Sequence, residues 1–290
     1  MGKFTLDKPE WAKKPESLDF KVVNQPLEEV INQVISQLEN ESRKPDNFYF
    51  ILRGLLTTSL QTYKAIRKLV AKESKYPTQA HILCRSIIDV LFTVAMLTEK
   101  PGEYSRNYEL AGYRAMWEEY NRELERYGDE PEQKPYLDAK KKLLDGSAEL
   151  FNLSPDEKEN PSSHIKHWPI PSRMLNSKKI SNEKKRLLKE VYLWRYQQIS
   201  EWSHQFWGGV AVGMYSTMPE HHWHPGKFES DAVYIGILFL LMILSEIEAS
   251  CNYGLKQKLR YIWTILNSYF DEAADYYRLR YDILLQENIS

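Results

Sequence analysis

Gln79 to Thr98 read QAHILCRSIIDVLFTVAMLT. The stretch is apolar almost all round, which predicts a helix covered by neighbours on every side. It nevertheless carries His81, Arg85 and Asp89, each four residues from the next. Residues four apart sit above one another on a helix, so these three form a polar stripe inside an apolar element. Lys75-Tyr76-Pro77-Thr78 breaks the chain ahead of it and offers Thr78 as an N-cap, and Lys100-Pro101-Gly102 ends it.

The helical period continues outward from there. Leu27 to Glu41 and Asn47 to Lys72 each place apolar residues at helical spacing, with Gly54 in the second predicting a close helix contact. Tyr104 to Tyr127 is amphipathic. Tyr192 to Gly213, YLWRYQQISEWSHQFWGGVAVG, predicts a helix capped upstream by Ser181. It carries a second stripe of Tyr196, Ser200 and His204, again four apart. Val233 to Leu244, VYIGILFLLMIL, is apolar over twelve residues. A membrane span needs about twenty, so this run predicts a buried helix and no membrane. Leu255 to Gln286 predicts one long Tyr-rich helix lying across the bundle or against a partner. Nothing alternates at period two between turn residues, so the fold is all-α, a multi-helix bundle of roughly seven to nine helices.

Residues 1–26, with Pro9, Pro15 and Pro26, predict an extended arm, and 27–290 a single helical domain. Six prolines fall between 128 and 182, which predicts a long polar loop region with a surface helix over Tyr136 to Phe151. The chain has 290 residues, 42% of them hydrophobic, and a formal net charge of −1. That balance supports a large core and excludes a global basic field for nucleic acid, though not a local patch. Two separated cysteines, Cys84 and Cys251, predict buried free thiols, and a reducing, cytoplasmic setting fits them. The first residues lack the apolar core of a signal peptide.

An arginine inside an apolar helix is costly unless paired, and Asp89, one turn on, is its local partner. One reading is a structural ion pair that fixes helix packing. The other is that the two stripes face each other. Arg85 then supplies fixed positive charge for a phosphate, His204 acts as acid or base near neutral pH, and Ser200 or Tyr196 positions the reacting group. That set suits phosphodiester cleavage without a metal or cofactor: a base for the 2′-hydroxyl and a cation for the developing phosphorane charge.

LCRSIIDVLFTVAML with its following Lys-Pro turn, YQQISEWSH, and the intervening HWPIPSRML resemble an uncharacterised bacterial helical family similar to the HEPN (higher eukaryotes and prokaryotes nucleotide-binding) group. The resemblance covers roughly residues 45 to 215, on the helix-borne spacings just described. It implies an all-α, often dimeric protein, a metal-independent ribonuclease in stress response or phage defence, acting on RNA or a nucleotide. It maps onto Arg85, Asp89, Tyr196, Ser200 and His204. In the HEPN nucleases an Arg lies four to six residues before the His on one helix. Here those positions hold Ser200, Ile199 and Gln198, so catalysis would draw Arg85 from another helix. The alternative function is a non-catalytic interaction module whose stripes are structural, with the arm or the C-terminal helix meeting a protein partner.

Other patterns are weaker. His221-His222-x-His224 lacks a second ligand-bearing motif beside it and reads as a solvated turn. Glu201 stands three before His204 without a second copy of the di-iron pattern. The run Lys178 to Lys189 reads as the solvated face of a helix start.

Overall fold

Two helices are apolar over most of their surface, and their neighbours within one compact unit cover them. The computed structural model describes residues 19–42, 47–71, 76–203 and 225–286. Among these residues there are helices and no strand, so the all-α bundle expected from periodicity is the fold. By its internal contacts the chain divides into two compact units, one of residues 1–99 with 171–290 and one of 100–170.

In the first unit the framework is α1 (Lys21–Glu41), α2 (Phe48–Leu69) and α3 (Pro77–Leu97). α2 packs along α3 and α1 along α2. Helix α1 starts at Lys21, so the expected extended arm to residue 26 is helical from residue 21, with Pro26 inside the helix. Pro26 is the sixth residue of that helix, past its first turn, so it leaves the carbonyl of Val22 without its i+4 backbone donor. Thr78 is not the cap of α3. Pro77 begins the helix, a position for which its fixed φ is preset, and Tyr76 precedes it.

In the second unit α4 (Pro101–Tyr127) forms a hairpin with α5 (Lys134–Leu150), followed by the short α6 (Pro155–Glu159) and α7 (Pro161–His164). The surface helix expected over Tyr136 to Phe151 is α5, and the rest of the stretch read as loop over 128–182 holds several short helices. Each short helix starts at a proline, so most of the prolines that suggested a loop, though not Pro169, mark helix starts. The unit has its own core of Tyr113, Leu144, Ala148, Leu153 and Ile165, flanked by Trp117, Tyr120 and Phe151. Asn152 ends α5 at φ 47°, a left-handed position asparagine tolerates, and Leu153 N–H then bonds Ala148 O at 3.0 Å.

The chain returns to the first unit with α8 (Pro171–Leu175) and α9 (Asn182–Val191). Ser181 precedes α9, but its hydroxyl donates to Glu99 Oε1 at 2.7 Å instead of capping the helix. Lys184, read as solvated, is buried. Its ammonium donates to Ala95 O at 3.1 Å and Thr98 Oγ1 at 2.9 Å, pinning α9 to the end of α3. A π-helical turn, Tyr192–Tyr196, joins α9 to α10 (Gln197–Ser203), which packs on α3.

Helix α11 (Pro225–Cys251) lies against α2 and α3, and α12 (Lys256–Tyr269) against α1 and α11. Both α3 and α11 are long and apolar enough to cross a membrane, so twelve apolar residues understated α11. Of an 18-residue apolar window in α11, 94% is buried inside the molecule, and of that in α3 67%. Gly236 on α11 allows the approach to α2: a Cβ there would stand 2.7 Å from Tyr63 Cδ2. Gly54, expected at a close contact, has nothing within 4 Å. The C-terminal run is not one helix. It breaks at Phe270, whose extended backbone lets its ring stack on Tyr234 at 3.9 Å, then resumes as α13 (Asp271–Tyr276), a second π-turn (Tyr277–Tyr281) and α14 (Asp282–Leu284).

Candidate functional site

The two polar stripes meet through Arg85 and Tyr196. On α9 the buried residues are Lys184, Leu187, Leu188 and Val191; the next is Tyr196, five residues on, and then Ile199. An α-helix repeats its face every three or four residues, so the five-residue step needs one extra residue in the turn. The π-turn over Tyr192–Tyr196 absorbs it, and such turns occur frequently at functional sites. Tyr196 therefore faces α3.

Arg85 Nη2 donates to Tyr196 Oη at 3.2 Å, and the guanidinium carbon stands 5.1 Å from the centre of the Tyr196 ring. A cation over an aromatic face is attracted by the ring quadrupole. Tyr192 stacks on Tyr196 at 5.3 Å, and Phe92 tilts against it at 6.0 Å. Asp89 Oδ2 lies 3.9 Å from Arg85 Nε, an ion pair longer than a direct hydrogen bond. Contrary to the expectation of a buried pair, 27% of the Arg85 side chain and 45% of the Asp89 side chain are exposed. Partial burial pushes the Asp89 carboxyl up, against the opposing pull of Arg85 and of a hydrogen bond with Tyr196. Burial also raises the Tyr196 hydroxyl, so it stays protonated and can donate. Ser200 follows one turn on, half-buried, on the helix that packs against α3. His204 lies outside the described residues, as does the His221-His222-x-His224 cluster.

His81 takes no part in this cluster. It is fully buried, with Nε2 3.1 Å from Asp231 Oδ2. Asp231 also faces Arg195 Nη1 at 3.5 Å. Arg195 in turn donates through Nε to Glu272 Oε1 at 2.8 Å and through Nη2 to Glu272 Oε2. Burial works against the Arg195 charge, but Glu272 and Asp231 hold it well above the ordinary arginine value. Sequence reading missed this second cluster. Asp231 precedes the apolar run of its helix, Glu272 opens another, and Arg195 carries no mark of its own. The one signal available was its neighbour, Tyr196, standing five residues from Val191. Among the described residues no group of three or more metal-capable side chains occurs.

The arrangement brings together a part-exposed guanidinium, a protonated phenol, a carboxyl with raised affinity for its proton and a nearby hydroxyl. Guanidinium recognises phosphate or carboxylate by paired hydrogen bonds, and a carboxyl and a phenol beside it can hold or pass a proton. Residues 49–214, more than half of the chain, match the model of a family described as of unknown function, DUF5677. No curated protein and no solved structure matches the chain.

Proposed function

The chain thus belongs to that family of unknown function, and from its own residues we propose that it acts on RNA or a nucleotide as a HEPN-like, metal-independent ribonuclease. The supporting observation is that Arg85, from α3, reaches Tyr196, from a different helix, with part of its guanidinium arm open to solvent. A nuclease site needs a cation where charge develops on phosphorus. Arg85 fills that role here from a different helix, in place of an arginine four to six residues before His204. Tyr196 and Ser200 orient the phosphate, and Asp89 is the nearby carboxyl whose hold on a proton burial strengthens. His204 is the base that removes the 2′-hydroxyl proton. The 2′-oxygen then bonds to phosphorus, the 5′-oxygen leaves with the proton of the Tyr196 phenol, and a 2′,3′-cyclic phosphate remains.

The test is a single-stranded RNA presented in EDTA beside the same strand methylated at every 2′-oxygen. The proposal predicts cleavage of the first to cyclic-phosphate ends and none of the second. Equal cleavage of both strands, or of neither, contradicts it. The second reading, a non-catalytic interaction module, is favoured by one observation: the π-turn that carries Tyr196 also presents Leu193 and Trp194 outward, Trp194 with 69% of its surface exposed.

A further inference from the structure

The two π-turns share the pattern Tyr-x-x-Arg-Tyr, as Tyr192-Leu-Trp-Arg-Tyr196 and Tyr277-Arg-Leu-Arg-Tyr281. Their arginines are also held alike. Arg195 Nε and Nη2 donate to Glu272 Oε1 and Oε2, and Arg280 Nε and Nη2 donate to Glu246 Oε1 and Oε2. In each the third nitrogen, Nη1, faces another carboxylate: Asp231 at 3.5 Å for Arg195 and Glu183 at 3.9 Å for Arg280. In each the tyrosine that follows is turned into the interior, Tyr196 onto Arg85 and Phe92, and Tyr281 onto Trp263 at 5.1 Å. The chain therefore solves one problem twice. A π-turn has an extra residue to accommodate, and a forked ion pair to another helix fixes where the turn points.

We propose that Glu272 is a positioning residue for the Arg85–Tyr196 site, acting through Arg195. Its status as part of a site rests on the ribonuclease reading above; its effect on geometry does not. Glu272 touches neither Arg85 nor the expected phosphate. It clamps the guanidinium of the residue directly before Tyr196, from a helix distant in sequence. Releasing Arg195 frees the turn, and the phenol of Tyr196 leaves Arg85. Glu246 performs the same service at the second turn, whose inward tyrosine, Tyr281, stacks on Trp263 rather than on an arginine, and so provides an internal control.

The test is a double-mutant cycle of Arg85→Ala and Tyr196→Phe on urea-unfolding midpoints, run in the native chain and in Glu272→Ala, Arg195→Lys and Glu246→Gln backgrounds. Arg195→Lys keeps the charge and loses the fork, which covers the case in which Glu272→Ala does not fold. In the native chain the two substitutions cost less together than the sum of their separate costs. The proposal expects that coupling to vanish in the Glu272→Ala and Arg195→Lys backgrounds and to persist in Glu246→Gln. Persistence in the first two backgrounds overturns it, and so does loss in all three. RNA cleavage by the same variants is read separately, with at least a tenfold loss expected for Glu272→Ala and none for Glu246→Gln. A native chain that does not cleave RNA refutes the ribonuclease reading while the cycle still decides the positioning.

Discussion

At the residue scale, Asp89 is the group whose titration the structure makes visible. Its carboxyl is pushed up by burial further than Arg85 and Tyr196 pull it down. A carboxyl of this kind binds its proton more tightly in the folded chain than in the unfolded one. It therefore withholds stability at neutral pH, and that stability is regained as pH falls through the raised value toward the ordinary one, 3.8. Asp89→Asn, neutral throughout, is expected to melt above the native chain at pH 7, with the difference closing as the pH is lowered into the carboxylate range. A native chain that melts higher at pH 7 would contradict the assignment. Gly236 gives a second prediction at this scale. A Cβ there meets the ring of Tyr63, which is fully buried and tied by its hydroxyl to Asn24. The ring has no room to yield, so Gly236→Ala is expected to cost about 1–3 kcal/mol in urea unfolding. Arg85, Asp89 and Tyr196 were legible in sequence because polar groups stand out in apolar helices. Glu272 was not, since it pairs with Arg195 across 77 residues and looks like any acidic residue at a helix start.

At the element scale, helices were readable and their joints were not. The period of apolar residues located α1 to α4 to within a few residues at most ends, because a helix that must bury one face writes that face at fixed spacing. The prolines over 128–182 misled, since proline marks a loop and a helix start equally well. The break at Phe270 and both π-turns were hidden, because each is set by stacking or ion pairing with a distant helix. The joint between α11 and α12 belongs with these. Glu248, buried, accepts the backbone N–H groups of Tyr253, Gly254 and Leu255 at 2.9, 3.1 and 3.1 Å. One carboxylate thus satisfies three donors where one helix ends and the next begins. Glu248→Ala leaves them without that acceptor and is expected to cost about 3 kcal/mol. A change within a few tenths of a kcal/mol in the denaturation midpoint analysis would show that the joint holds itself.

At the scale of the whole molecule, the two span-length apolar helices among the described residues are largely enclosed, packed against the chain's own helices. The expectation that it needs no membrane is tested by gel filtration without detergent. A discrete peak is predicted, and a protein that elutes only as aggregate or requires detergent would contradict it. The fold class was plain in the sequence. That the stripe on α3 divides, with His81 going to one ion network and Arg85 to another cluster, depends on a one-residue insertion in the facing helix and had no reading in composition. The account stands on Arg85 acting on phosphate without a metal. The most direct measurement is cleavage of total RNA in EDTA by the native chain, Arg85→Ala and His204→Ala, each shown folded by circular dichroism. The account predicts cleavage by the native chain and a loss of at least a hundredfold in both variants, as expected when a transition-state cation or the base is removed. Undiminished cleavage by Arg85→Ala, or none by the native chain at high concentration, would contradict it.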